Sequence, residues 1–268
     1  MDIILYDGAG NLFRMIDGRG GSPAGDYAGS LAQELCILPD GRKADGLIVL
    51  RESLDEGCLF SMHYFNNDGS GGVMCGNGGR CAVAFARDLG IPFPGGVCRF
   101  SSNGSRYAGT LLHDGENDKV VRLEMADVHE ARRVREPAGW YADTGCPHFV
   151  TFLEREEQLA GLDIGRVAPP LRHHAAFGPG GVNVNFVVAG PDAYGIRSYE
   201  RGVEDETLAC GTGIVAAAIA LALENGLTGT LHYDFRAVGG QLAVDLTIPA
   251  GGTAVATGIC LTGPTHRH

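Results

Sequence analysis

The chain of 268 residues carries 21 Lys and Arg against 32 Asp and Glu, a formal net charge of -11. Apolar residues make up 44% and charged residues 20%, the balance of a soluble globular protein whose core needs no disulfide or metal staple. The charge argues against a nucleic-acid binder: the basic cluster Arg132, Arg133 and Arg135 is flanked by Glu130 and Glu136 and reads as a solvated surface segment.

In chain order, the apolar residues 3–6 end at Asp7 and are too short for the h-region of a secretion signal. Residues 46–50 form a β-branched run that predicts a strand. Cys75-Gly76-Asn77-Gly78 then opens an alanine-rich segment that runs to Arg87 and stops at Gly90, the pattern of a helix. Residues 120–124, 182–186 and 242–246 again predict strands, with Asp-Gly turns at 68–69 and 114–115. A second helix is predicted where Cys210-Gly211-Thr212-Gly213 leads into alanine-rich sequence that reaches Glu224 and stops at Gly226. Both helices are apolar around most of their circumference, so both should be buried. The longest apolar run, residues 214–223, is half of what spans a bilayer, and a cytoplasmic protein is expected.

The two cysteine-led segments lie 135 residues apart, about half the chain, which suggests two similar halves. Strands around one long buried helix, twice over, form an α+β arrangement. The expected first domain is residues 1–118 with a return strand from 253–268; the second is 119–252.

Eight cysteines in a chain of this length read as small buried apolar residues before they read as disulfides. Cys75 and Cys210 stand apart because each precedes a helix on a glycine-rich turn. A helix N-terminus presents unpaired N–H groups and a partial positive charge, which favours a thiolate and can hold a carboxylate. Gly76 and Gly78 let the backbone approach a ligand closely. Inverting an α-carbon needs a base on one face and an acid on the other, and a thiol serves as either near neutral pH. Two helix ends aimed at the carboxylate would stabilise the planar carbanion by fixed dipoles.

Other chemistries fit less well. A zinc site from Cys75, Cys81, Cys210 and His148 lacks any CxxC pair. A Cys75–Cys210 disulfide would be oxidative damage or regulation before function. Pyridoxal phosphate needs a buried Schiff-base lysine, and neither Lys43, in a polar turn, nor Lys119, after an acidic loop, is expected to be one. No cofactor and no metal are expected.

At these motifs the sequence resembles the diaminopimelate epimerase family. The opening Tyr6-Asp7-Gly8-Ala9-Gly10-Asn11-Leu12-Phe13, Ala44-Asp45-Gly46, Asn66-Asn67-Asp68-Gly69-Ser70 and Cys75-Gly76-Asn77-Gly78-Gly79-Arg80-Cys81 all look like family segments. So do Thr144-Gly145-Cys146-Pro147-His148, Asn183-Val184-Asn185-Phe186, Glu200-Arg201-Gly202 through Cys210-Gly211-Thr212-Gly213, and Leu261-Thr262-Gly263-Pro264. The resemblance implies two similar domains, each a β-barrel-like sheet around a central helix, with the site between them. It implies Cys75 and Cys210 as the acid/base pair, and the backbones of Gly76-Asn77 and Gly211-Thr212 as the grip on the reacting carboxylate. Asn11, Asn66, Asn183, Glu200 and Arg201 would recognise the two amino-acid ends of the substrate, and His148 would support the site beside Glu200.

Read without the resemblance, Asn11 and Asn66 also suit turns, Asn183 a buried strand, Glu200-Arg201 a surface ion pair and His148 a structural role. Leu12 stands where the family has Asp, and Cys146 replaces an Asn that helps hold the distal end of the substrate. Glu204-Asp205-Glu206 reads as a loop variant.

The leading expectation is conversion of LL-2,6-diaminopimelate to the meso form without a cofactor. The alternative is racemisation of another amino acid, such as histidine, by the same two thiols, motivated by Cys146. A non-catalytic ligand-binding protein and a metal-binding protein are the readings from other classes. The expected partner is a small-molecule amino acid, with no nucleic acid and no membrane; a homodimer is compatible, since the sequence does not set the oligomeric state.

Overall fold

The computed structural model describes residues 2–20, 28–71 and 74–268. Gly72 and Val73 of the first cysteine segment lie outside the described residues. Two compact units divide the chain, Met1–Glu124 with Thr262–His268, and Met125–Leu261.

The first unit holds β1 (Ile3–Gly8), β2 (Asn11–Asp17), α1 (Ala28–Leu35), β3 (Gly46–Arg51), β4 (Phe60–Asn66), α2 (Gly76–Asp88), β5 (Val97–Ser102), β6 (Ser105–Asp114) and β7 (Asp118–Glu124). Strands β1 to β7 neighbour one another in sequence order, and the end of the last strand of the chain pairs with β1 at Tyr6↔Arg267 and Asp7↔His266. That pairing turns the sheet into a barrel and removes a free edge. The helices sit in the parallel crossovers: α1 between β2 and β3, and α2 between β4 and β5.

The second unit holds β8 (Glu130–Val134), β9 (Gly139–Asp143), β10 (Pro147–Leu153), α3 (Glu156–Ala160), α4 (Ile164–Arg172), β11 (Asn183–Val188), β12 (Tyr194–Glu200), β13 (Asp205–Thr207), α5 (Gly211–Glu224), β14 (Gly229–Ala237) and β15 (Gly240–Ile248). The final strand, β16 (Thr257–Arg267), begins here. The plan of the first unit recurs: β10 and β11 are parallel across α3 and α4, and β12 and β14 are parallel across α5. The chain is thus α+β, two barrel-like sheets each with a buried helix, as the sequence implied.

The two core helices form for different reasons. In α5, Ile214, Val215, Ile219 and Leu221 are buried among alanines, and each large side chain contributes about 1.5–3 kcal/mol on leaving water. Helix α2 starts Gly-Asn-Gly-Gly, a run of poor helix formers. Burial of every residue from Gly76 to Ala86 holds it in place of propensity. Close packing explains the glycines: a Cβ at Gly8 would sit 2.9 Å from both Asn77 O and Cys81 Sγ.

Three expectations need correcting. The division of the chain differs from 1–118 with 253–268 against 119–252. Strand β7 crosses Asp118 and pairs with β6 as far as Leu123, while Val128 bridges Ala256 inside the second unit. Glu204–Glu206 is more than a loop: β13 pairs with β12, and Glu206 holds Arg197 at 2.6 Å. Lys119 is buried, 3% exposed, with its ammonium 2.7 Å from Asp88 and bonded to the carbonyls of Gly115 and Glu116. Asp88 also accepts from the Tyr6 hydroxyl and lies 3.8 Å from Arg267, so the lysine is committed to a charge cluster that ties α2, β1, β7 and β16 together.

Candidate active site

In the first unit Cys75 is the N-cap of α2, in an extended conformation (φ -99°, ψ 120°), and its Sγ accepts from the Gly78 N–H at 3.5 Å. Asn77, in the first turn, donates its amide to Asn11 Oδ1 at 2.6 Å. Asn11 opens β2, and beside it Asp45 Oδ2 accepts from the Leu12 N–H at 2.7 Å. Burial pushes the Asp45 carboxyl up, against hydrogen bonds from Leu12 and Asn11 that pull it down. Asn66 closes β4, with its side-chain amide on Ser70 Oγ at 2.9 Å. The structure therefore joins Asn11 to Asn77 at the start of α2 and places Asn66 at a strand end, bonded within its own turn.

Arg80 was not singled out from the sequence. It lies one turn into α2, is 0% exposed, and has no hydrogen-bond partner at Nε, Nη1 or Nη2 among the described residues. The signal was present as the one charged residue among apolar and small neighbours between Gly76 and Ala86.

In the second unit Cys210 is the N-cap of α5 and is buried. Its Sγ lies 3.6 Å from Thr212 Oγ1. The same hydroxyl is 3.0 Å from His148 Nε2 and 3.4 Å from Cys146 Sγ, which in turn is 3.1 Å from His148 Nε2. Asn185, also unflagged by the sequence, donates to His148 Nδ1 at 3.1 Å and to Phe149 O, and accepts from Ser198 Oγ at 2.8 Å. With Nδ1 accepting, the ring proton sits on Nε2. Strand alternation could have found Asn185, because residues 183 and 185 point to the same face.

Asn183 donates to Pro147 O at 3.1 Å and accepts from the Arg201 N–H at 2.8 Å. Glu200 Oε1 accepts from Thr207 Oγ1 at 2.6 Å, and the Arg201 side chain is exposed. Thus His148, Cys146, Asn183, Thr212 and Cys210 form one cluster, with Arg201 joined to it through its backbone.

Electrostatics separates the groups. Burial drives the His148 imidazole down to about 4, against the pull of Glu200 and Asp143, so it is neutral at pH 7. Burial, then Glu200 and Cys146, push the Cys210 thiol well up, and the Thr212 hydroxyl opposes them. Burial also raises Cys146. The surroundings of Cys210 thus favour the thiol over the thiolate. Among the described residues no group of three or more His, Cys, Asp or Glu is placed to hold a metal ion, and no helix is long and apolar enough to cross a membrane.

A sequence model of the diaminopimelate epimerase family matches residues 3–128 and 140–261. The chain is similar to the diaminopimelate epimerase of Flavobacterium psychrophilum, 38% identical over 98% of this chain and 96% of the relative. The enzyme of that name from Chlorobaculum tepidum is 42% identical over 79% and 80%. Among solved structures, a phenazine biosynthesis protein of the PhzF family from Bacillus anthracis superposes with a TM-score of 0.77 at 11% identity, covering 99% of this chain and 96% of that one. A hydroxyproline epimerase from Agrobacterium vitis superposes with a TM-score of 0.67 at 19% identity, over 99% and 91%. At these identities the structures share the fold with this chain.

Proposed function

The chain belongs to the diaminopimelate epimerase family, and from that premise we propose that it inverts one α-carbon of LL-2,6-diaminopimelate to give the meso form, using Cys75 and Cys210 as base and acid. It is an isomerase. The product is a precursor of lysine and peptidoglycan, and the cytoplasm is the proposed location. The relatives named above leave the histidine alternative without support.

One observation carries the reading: each of two topologically matching units begins its buried helix with a cysteine N-cap on a glycine-rich turn. In the proposed cycle Cys75 takes the α-proton as a thiolate. Cys210 delivers its thiol proton to the opposite face of the same carbon, and the roles exchange in the reverse direction. The negative charge that develops on the substrate carboxylate is received by backbone N–H groups of Gly76-Asn77 and Gly211-Thr212, where the helix ends already concentrate positive potential. Asn11, Asn66, Asn183, Glu200 and Arg201 hold the amino-acid head groups. His148, neutral and buried, supports Thr212 rather than moving the α-proton itself. Protons travel only between carbon and sulfur, so the cycle calls for no cofactor.

The test is turnover of LL-diaminopimelate by the purified chain in D2O. Solvent deuterium should appear at the α-carbon, mostly in the newly formed epimer. Cys75→Ala and Cys210→Ala should each lower kcat by at least about a thousandfold, the scale of losing an acid or base. No turnover by the wild type, or turnover untouched by either substitution, would sink the proposal.

A further inference from the structure

A fully buried guanidinium with no hydrogen-bond partner is costly. It carries five donors and a charge that water no longer screens, and such groups persist where an anion answers them. Arg80 is in that position: 0% exposed, with Nε, Nη1 and Nη2 all without a hydrogen-bond partner among the described residues. Burial pulls it down to about 10, which still leaves it cationic at neutral pH.

The place of the charge follows from helix geometry. Side chains on a helix lean toward its N-terminus and cover the turn before their own Cα. Arg80 is five residues after the Cys75 N-cap, and a side chain of its length that leans this way reaches back toward the start of α2. The other side of the guanidinium is closed: a Cβ at Gly263 would stand 3.1 Å from Arg80 Cζ and Nε and 3.2 Å from Nη2. The glycine thus admits the flat group and blocks its retreat.

The titratable groups whose charge acts on Arg80 are, largest first, Cys81 beside it in α2, Cys75 at the N-cap and Asp7 on β1. Asp7 spends Oδ1 on the Gly10 N–H at 2.8 Å and makes no hydrogen bond to Arg80. Cys81 is wholly buried, and burial pushes its thiol far up despite Arg80. A substrate carboxylate arriving from solvent cannot touch a guanidinium that has no exposed surface. Cys75 is partly exposed and already receives the Gly78 N–H; it is the sulfur on which a negative charge is least costly.

We infer that Arg80 is a positioning residue for the epimerase reaction, a buried counter-charge that keeps Cys75 in the thiolate form. The inference rests on the proposed role of Cys75 as a base. It accounts for a resting asymmetry: a thiolate at Cys75 next to a buried cation, and a thiol at Cys210, whose surroundings are anionic.

The experiment is iodoacetamide alkylation of Cys75, followed by peptide mass spectrometry from pH 5 to 10, in wild type, Arg80→Met and Arg80→Lys. No substrate is present, so failure here is separate from failure of the epimerase assignment. The wild-type midpoint should lie below the value of about 8.5 for free cysteine. Arg80→Met should raise it by about one pH unit, a tenfold loss of alkylation rate at pH 7, as expected when a nearby opposite charge is removed. Arg80→Lys should restore at least half of that shift, and the acidic limb of the kcat/KM profile should move with the midpoint in each variant. A folded Arg80→Met protein with an unchanged midpoint overturns the inference. Should Arg80→Met not fold, the wild-type midpoint decides alone: at or above the free-cysteine value overturns it, below supports it.

Discussion

His148 Nε2 stands 3.0 Å from Thr212 Oγ1, and the hydroxyl is also within reach of two sulfurs, Cys146 at 3.4 Å and Cys210 at 3.6 Å. Because Asn185 donates to Nδ1 at 3.1 Å, the imidazole proton lies on Nε2, within reach of the threonine oxygen and of Cys146 Sγ at 3.1 Å. Thr212 then has its own proton to give to a sulfur. The order Ser198, Asn185, His148, Thr212 is a directed chain in which each member fixes the orientation of the next.

Thr212→Val should therefore act on the chemistry while preserving shape. It removes the hydroxyl that opposes the upward push on Cys210 and leaves the His148 N–H only the Cys146 sulfur, 3.1 Å away, to bond. A hydrogen bond to a charged group is worth about 1.5–3 kcal/mol, so kcat/KM should fall at least about tenfold. Thr212→Ser should stay within about threefold of wild type. Steady-state kinetics on both variants checks this; a Val variant as active as the Ser variant would show that the hydroxyl is idle.

His148 gives a pH dependence whose sign is fixed. Its folded value is near 4, below its ordinary 6.5, and burial is the main cause. Above pH 6.5 both folded and unfolded states hold it neutral. As pH falls from 6.5 to 4 the unfolded chain takes up a proton that the native site refuses, so stability drops through that window and levels off below it. The expected loss is about 3 kcal/mol across the window, at about 1.4 kcal/mol per pH unit. Urea unfolding at pH 7, 6 and 5 should show this slope in wild type and a shallower one in His148→Gln. Parallel slopes would mean that the imidazole is protonated in the fold.

Much of the fold and of the site is legible in the sequence, and what is hidden there is hidden for physical reasons. The two helix starts were readable because Cys-Gly-x-Gly followed by an alanine run combines a break and a strong former in one short window. Gly90 and Gly226 end the helices with positive φ, 74° and 62°, the conformation that makes glycine a stop signal. Lys119 was misjudged because its partner Asp88 lies in a different element, and side-chain pairing across a barrel leaves no local trace. Arg80 is hidden inside a motif dominated by glycines, although a cation in a buried helix is the anomaly there. Helix α4 hides Pro169 and Pro170 within it, residues that argue for a break on local grounds.

The Lys119–Asp88 pair should be worth more when broken than when replaced. Lys119→Met leaves a carboxylate, 14% exposed, with Tyr6 and the more distant Arg267 as company. Removing one partner of a buried pair costs about 3–5 kcal/mol, and urea unfolding should show a loss near the lower end, since Arg267 remains. Adding Asp88→Asn removes the stranded charge and keeps an acceptor for the Tyr6 hydroxyl. The double variant should recover about half the loss. A double variant less stable than Lys119→Met would place the energy in the Tyr6 contact rather than the ion pair.

Gly213→Ala sets two effects of opposite sign against each other. Alanine in a helix gains about 1 kcal/mol over glycine. Here, however, the new Cβ would collide with Asn185 Oδ1 and stand 3.2 Å from Cys210 Cβ. Asn185 cannot swing away cheaply, because Ser198, His148 and Phe149 O hold both ends of its amide. Overpacking against a fixed group costs about 1–3 kcal/mol, so sterics should win and the variant should be less stable than wild type. The damage should spread to activity, because displaced Asn185 releases His148 and through it Thr212. Asn185→Ala in the same chain clears the obstructing oxygen. The two substitutions together should be less harmful than the sum of each alone, by at least about 1 kcal/mol, in the range seen for residues in contact. Strict additivity in a double-mutant cycle of unfolding free energies would show that the helix start and the asparagine are not in contact, and would break the link drawn here between Asn185 and the setting of Cys210.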